Sequence, residues 1–172
     1  MALLDLQYGY DAVGNINHIG SPTANEDLGH TYDGQDRLTG VSGSYTETYA
    51  YNAVGNLTSR QANGAPPITY TYGLTQPHAV RALTNGGQFT YDCNGNMLTR
   101  VEVSGTQRIT YTQQWDAENR LTVVTNTSTT PNRVSKFIYD GDGQRVMQVQ
   151  ISGTQVITTA YAGALEVQIA ST

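Results

Sequence analysis

The chain has 172 residues, of which only 13% are charged, with a net charge of −5; an ordinary soluble domain carries about 25% charged residues. Thr, Gln, Asn and Ser fill the gap with 58 residues, Gly adds 18, and Tyr supplies 12 of the 15 aromatics. These figures exclude a charge-rich coiled coil, a basic footprint for nucleic acid and an apolar run long enough to span a membrane, and a single cysteine, Cys93, excludes an internal disulfide.

Read in chain order, one unit recurs. Tyr8 and Tyr10 alternate with small neighbours, the period of a half-buried strand, then Tyr10-Asp11-Ala12-Val13-Gly14-Asn15 turns into Ile16-Asn17-His18-Ile19, and Gly20 predicts a second turn. Tyr32-Asp33-Gly34-Gln35-Asp36-Arg37-Leu38-Thr39 is the second copy, with Gly43 at its closing turn. Tyr51-Asn52-Ala53-Val54-Gly55-Asn56-Leu57-Thr58 is the third, closed by Asn63-Gly64. Tyr72 leads a degenerate fourth copy, closed by Asn85-Gly86-Gly87. Tyr91-Asp92-Cys93-Asn94-Gly95-Asn96-Met97-Leu98-Thr99 is the fifth, closed at Gly105, and Trp115-Asp116-Ala117-Glu118-Asn119-Arg120-Leu121-Thr122 the sixth, followed by a longer loop over residues 126–132. Tyr139-Asp140-Gly141-Asp142-Gly143-Gln144-Arg145-Val146 is the seventh, closed at Gly153, and Tyr161 marks a degenerate eighth.

The lead aromatics Tyr10, Tyr32, Tyr51, Tyr72, Tyr91, Trp115, Tyr139 and Tyr161 stand 19 to 24 residues apart. A sustained period of this length means a repeat array. Asp11, Asp33, Asn52, Asp92, Asp116 and Asp140 each follow a lead aromatic, where a short side chain accepts from a backbone N–H two residues on. Gly14, Asp36, Gly55, Gly95, Asn119 and Gly143 stand four residues after the aromatic, and all are residue types that tolerate positive φ. The expectation is a type I turn closed by a left-handed residue. Two strands and two turns per unit give fourteen to sixteen antiparallel strands. The fold class is therefore all-β: an array of antiparallel β-hairpins over residues 1–172 in one curved, twisted sheet, with no second domain. Arg37, Arg120 and Arg145 follow their turns and can reach the Asp of their own or the next unit, for about 0–1 kcal/mol per exposed pair.

Few chemistries survive a residue-by-residue test. Asp140-Gly141-Asp142-Gly143 has the opening of a calcium loop, but its Gly comes two positions early and no acidic residue closes it. His18, His30 and His78 lack ligand spacing, and His30 takes a strand slot that other units give to Tyr or Phe. Cys93 occupies a turn slot filled elsewhere by Ala12, Ala53 and Ala117, which argues against a nucleophile. The repeated Asp residues could pair for glycoside hydrolysis, but recurrence in every unit is the mark of a turn former. No catalytic residue, metal site or cofactor is expected. The stronger rival is carbohydrate binding by exposed Tyr and Trp115, set against cross-strand stacking of the same rings. Natural sheets shield their edges with charge. With one Lys, Lys136, self-association through open edges is an expected behaviour.

The recurring Tyr-Asp-x-x-Gly-Asn/Arg-Leu-Thr over residues 8–167 resembles the YD repeat of the RHS (rearrangement hotspot) family, which includes polymorphic toxins, toxin-complex B and C subunits and teneurins. Tyr72-Gly73-Leu74-Thr75-Gln76-Pro77-His78-Ala79-Val80 resembles its degenerate variant. The resemblance implies a hollow β-shell that encloses or presents a toxin or partner domain, a secreted or cell-surface setting and a structural job. It implies partners in the remainder of a larger shell and its cargo, with glycans as the alternative ligand. The chain lacks the Asp-Pro of the self-cleaving core that follows such repeats, and its N-terminus has no basic signal-peptide region. Its last residues, 169–172, read as an unfinished strand, so the expectation is a segment of a larger shell or a decayed remnant of one.

Overall fold

The computed structural model describes residues 5–21, 26–163 and 165–171. The N-terminal residues 1–4 of the signal-peptide reading, Ala164 of the eighth unit and the terminal Thr172 lie outside the described residues. Sixteen strands are formed: β1 (Gln7–Tyr10), β2 (Ile16–Ser21), β3 (Glu26–Tyr32), β4 (Leu38–Gly43), β5 (Glu47–Tyr51), β6 (Leu57–Ala62), β7 (Ile68–Tyr72), β8 (Val80–Leu83), β9 (Gln88–Tyr91), β10 (Met97–Ser104), β11 (Gln107–Trp115), β12 (Leu121–Asn126), β13 (Arg133–Tyr139), β14 (Arg145–Ser152), β15 (Gln155–Ala162) and β16 (Leu165–Ser171). Their order in the sheet is their order in the chain. The fold is all-β and antiparallel, as the two-residue periodicity predicts, with no helix among the described residues.

The chain forms two compact units, residues 1–71 and 72–172. In the first, β1 to β7 pair consecutively, from Tyr8↔Ile19 to Arg60↔Ile68. In the second, consecutive pairing runs from Ala82↔Gln88 to Val156↔Ser171. Alternation is visible in exposure: along β5 and β7, residues 47, 49, 51 and 68, 70, 72 are half-buried and those between are exposed. Burial nowhere completes a layered core. Among the described residues Val41 and Val101, 7% and 8% exposed, are the buried apolar side chains. What holds the strands is therefore ladder, turn and side-chain bonding more than apolar burial.

One device was absent from the sequence reading. Tyr10 stands opposite Ile16, but Gly9 stands opposite His18, which leaves Asn17 as an extra residue. The same bulge recurs at Thr39, Thr58, Leu98, Thr122 and Val146. An extra residue on one strand raises local twist and disrupts the ladder beside it. Six bulges at one step of the repeat make that a regular feature.

Some expected turns are corrected. Gly20 lies inside β2, opposite Gln7, because the strand runs on to Ser21. Gly43 ends β4 opposite Leu28 with φ +129, and a Cβ there would fall 1.8 Å from the Asp27 carbonyl oxygen. Asn63 and Gly64 both have positive φ, as an Asn-Gly hairpin requires. At Asn85-Gly86 only Gly86 does, and Leu83 to Gly87 instead adopt the bonds of the Asp turns: Leu83 N–H donates to Gly87 O at 2.9 Å and Gly86 N–H to Leu83 O at 3.0 Å.

Candidate functional site: the contact between successive repeats

The turn comes first. In six units the residue after the lead aromatic donates its N–H to the carbonyl four residues on, at 2.9–3.0 Å. Its own carbonyl accepts from the residue three on, at 3.0–3.2 Å. Gly14, Asp36, Gly55, Gly95, Asn119 and Gly143 close these turns with φ between +58 and +96. Oδ1 of Asp11, Asp33, Asn52, Asp92, Asp116 and Asp140 each accepts two backbone N–H groups, two and four residues on, at 2.8–3.1 Å. A short side chain, its carboxylate or amide one methylene from the backbone, thus satisfies two amides that the bend leaves without ladder partners.

The ionised form of Asp11, Asp33, Asp92 and Asp116 is favoured. The Arg37 guanidinium holds Asp33 below the ordinary carboxylate range, and the Asn96 side-chain amide does so for Asp92. The Arg120 backbone amide and then its guanidinium lower Asp116. Burial pulls Asp11 upward, but donors from Asn15, Val13 and Gly14 outweigh it and leave it below the ordinary range.

The lead aromatics then join one repeat to the one before. Tyr32 donates its hydroxyl to Ile16 O at 2.7 Å, Tyr51 to Leu38 O at 2.9 Å and Tyr139 to Leu121 O at 2.8 Å. Trp115 places its indole N–H on Met97 O at 2.8 Å. In all four the acceptor is six residues after the preceding lead aromatic, opposite that aromatic at the bulge. The ladder between hairpins stops two residues short of it, at His18↔Gly29, Gly40↔Thr48, Thr99↔Thr112 and Val123↔Lys136. The ring O–H or N–H therefore fills a carbonyl that the bulge has taken out of the ladder.

Charge and polar groups at the fifth position after the aromatic complete the contact in two forms. In the Arg form, Arg37 pairs with Asp33 at 2.6 Å, stacks over Tyr51 at 4.7 Å and donates to Asn52 O at 3.3 Å. Arg120 repeats this with Asp116 at 2.7 Å, Tyr139 at 5.1 Å and Asp140 O at 3.5 Å. In the Asn form, Asn15 donates to Asp11 at 3.1 Å and Asp36 at 3.0 Å, and Asn96 to Asp92 at 2.9 Å and Asn119 at 2.7 Å. Asp36 and Asn119 therefore do more than tolerate positive φ: their side chains accept from the previous repeat.

The degenerate repeat led by Tyr72 reaches the same result with other residues. Gln76 donates to Asp92 O at 2.7 Å, Arg81 stacks over Tyr91 at 5.2 Å, and Tyr91 donates to Val80 O at 3.0 Å. Arg145 departs from its expected equivalence with Arg37 and Arg120. It stands one residue later, opposite Tyr139, with its guanidinium over the rings of Phe137 and Tyr161 at 5.6 and 4.9 Å. Tyr161 bonds the Gln148 side chain at 3.2 Å instead of a backbone carbonyl. Tyr10 belongs to β1 and is 60% exposed.

The remaining chemically capable residues are dispersed. Cys93 is exposed at a turn, and His18 bonds Asp27 at 2.8 Å. Asp140 spends one carboxylate oxygen on the amides of Asp142 and Gln144. The described residues hold no cluster of three or more His, Cys, Asp or Glu that could ligate a metal. Sequence reasoning missed the acceptor carbonyls and the stacking of Arg on the next ring. The side-chain contact between repeats did have a signal, Gly-Asn in one repeat followed by Asp-Arg or Asn-Arg in the next, at 14–15 with 36–37 and 95–96 with 119–120.

The fold is similar to that of chains in solved Tc toxin structures. A chain of the Photorhabdus luminescens Tc holotoxin pore, solved with a TccC3 mutation, superposes with TM-score 0.73 at 21% identity over 98% of this chain and 10% of its own. TcdB2-TccC3 without its hypervariable C-terminal region superposes with TM-score 0.55 at 15% identity over 98% of this chain and 11% of its own. The chain thus spans about a tenth of the length of these solved chains. No curated protein matches it. The teneurin YD-shell family model matches residues 1–164, and the chain belongs to that family.

Proposed function

We propose that this chain is a wall segment of a YD-repeat shell that encloses or presents another domain, and that its recurring polar residues serve structure and not catalysis. The observation that carries the reading is the repeated contact just described: the ring of one repeat bonds the carbonyl that the previous bulge releases. Each repeat is completed by its neighbour, so the array grows without a closed core of its own. The lead aromatics, turn Asp/Asn residues and left-handed residues are proposed as the functional residues, with residues 1–172 acting as one array. Remaining shell and enclosed cargo are the proposed partners. Carbohydrate binding has less support, because Trp115 spends its indole N–H on Met97 O.

The test is limited proteolysis of the complete gene product that contains this segment, mapped by mass spectrometry. The expected result is joint protection of the array and of any domain it encloses, lost together when Trp115→Phe and Tyr139→Phe are combined. Rapid cleavage at the turns of the unmodified protein would count against a shell. Saturable binding to an oligosaccharide, abolished by Trp115→Ala with the fold intact, would favour the glycan reading.

A further inference from the structure

The sequence holds three Asn-Gly pairs, at 63–64, 85–86 and 94–95, and the fold treats them differently. Such a pair has a reaction of its own. The glycine amide nitrogen can close on the asparagine side-chain carbon and expel ammonia, because glycine brings no Cβ to obstruct the ring. In a folded chain the rate depends on three groups. The nucleophilic N–H must lose its proton, the side-chain oxygen gains charge as the ring closes, and the side-chain nitrogen leaves. A hydrogen bond from the first or the last holds it back, and a donor on the oxygen speeds closure.

At Asn94 both nitrogens are engaged: Gly95 N–H donates to Asp92 O at 3.2 Å, and Asn94 Nδ2 donates to Asn119 Oδ1 at 3.1 Å. At Asn85 the nucleophile is engaged, since Gly86 N–H donates to Leu83 O at 3.0 Å, although Gly87 N–H reaches Asn85 Oδ1 at 3.1 Å. At Asn63 the arrangement reverses. Among the described residues neither Gly64 N–H nor Asn63 Nδ2 makes a hydrogen bond. Asn63 Oδ1 accepts Thr46 N–H at 2.9 Å, and this is the oxygen on which charge develops as the ring closes. Asn63 and Gly64 are both exposed, so water and base reach them. Asn63 is also a clasp. Its backbone N–H donates to Thr46 O at 2.8 Å, so backbone and side chain together hold the turn after β6 to the residue before β5.

We infer that Asn63 is a site of spontaneous deamidation, set apart from the other two Asn-Gly pairs by the fold and not by the dipeptide. Solvent base removes the Gly64 amide proton, and the nitrogen bonds to Asn63 Cγ. The Cγ–Nδ2 bond breaks, and ammonia leaves with a proton taken from water. One water then opens the succinimide at either carbonyl and leaves aspartate or isoaspartate at position 63, with no oxidation or reduction. The product adds one negative charge to a chain already at −5. Isoaspartate also lengthens the backbone by one methylene beside the two Thr46 contacts, so the clasp opens as the protein ages. The inference is independent of the shell reading.

The experiment incubates the full chain in warm, mildly alkaline buffer, native or in guanidinium chloride, and follows each Asn-Gly pair by peptide mass spectrometry. Isoaspartate is counted with isoaspartyl methyltransferase and a labelled methyl donor. In denaturant the three pairs convert at similar rates. In the native chain Asn63 converts at least about tenfold faster than Asn85 or Asn94, the factor expected when one tied amide must be freed before attack. Thr46→Pro removes the donor to Asn63 Oδ1 and slows Asn63 alone. Should that variant unfold, all three rates rise together to the denatured value, and the order in the parent chain decides. Native Asn85 or Asn94 converting as fast as Asn63 overturns the inference. So does a native Asn63 that stays intact while the denatured sample reacts, or an unchanged Asn63 rate in folded Thr46→Pro.

Discussion

Tyr139→Phe removes a single oxygen and isolates the contact between repeats. The ring stays, so stacking under Arg120 at 5.1 Å is retained. What is lost is the 2.8 Å bond to Leu121 O, a half-buried carbonyl two residues beyond the last ladder pair, Val123↔Lys136. A net hydrogen bond contributes about 0.5–1.5 kcal/mol, and stranding a fully buried acceptor costs about 1–3 kcal/mol. With water able to reach a half-buried site, the expected loss is about 1 kcal/mol. At this chain length that corresponds to about 2–4 °C in Tm. Urea titration should show a lower midpoint with an unchanged slope. The control is Tyr45→Phe: Tyr45 is 41% exposed and its hydroxyl makes no hydrogen bond among the described residues. It should stay within about 0.5 kcal/mol of the parent. Tyr32→Phe and Tyr51→Phe should match Tyr139→Phe, because each loses the equivalent bond. If Tyr139→Phe is no less stable than Tyr45→Phe, the ring hydroxyl does not join the repeats.

Gly55→Ala should cost about 1–2 kcal/mol by thermal melting, since φ is +85 and an L-residue there is strained although nothing lies within 4 Å of the new Cβ. Gly34→Ala, equally open but without positive φ, should be neutral within about 0.5 kcal/mol. Acid should weaken the fold. Asp11, Asp33, Asp92 and Asp116 are held below the ordinary carboxylate range, so their stabilisation is present above an unfolded value of about 4 and is lost as pH falls through the lower folded values. Replacing Asp92 with Asn, the residue the third repeat carries at Asn52, should flatten that acid dependence in a pH series of melts. Arg120→Lys keeps the charge but loses the fork and the stacking plane over Tyr139; a lower urea midpoint than the parent's is expected.

Much of the fold was legible because each repeat states its own turn. Tyr-Asp-x-x-Gly supplies acceptor, bend and left-handed residue within five positions, and six copies fix the phase. The bulge was not legible, since an extra strand residue such as Thr39 or Thr122 has no special composition; only pairing reveals it. Backbone carbonyl acceptors such as Leu121 O carry no side-chain signature at all. Gly20 misled because glycine within a strand and glycine at a turn look alike in sequence. Arg145 misled because an Asp-Gly-Asp-Gly turn followed by Gln144 shifts arginine by one residue, which moves it from its own Asp to the rings of Phe137 and Tyr161.

The most direct measurement of the structural role is native-state hydrogen exchange at the turns, read amide by amide. Val13, Asn15, Gln35, Arg37, Val54, Asn56, Asn94, Asn96, Glu118, Arg120, Asp142 and Gln144 donate their N–H groups to the six turn Asp and Asn side chains. Protection of these twelve amides at a level near that of the adjoining strands is the predicted result. Exchange at the rate of an open loop would mean that the side chains do not cap the turns, and would contradict the assignment of the repeated Asp residues to structure.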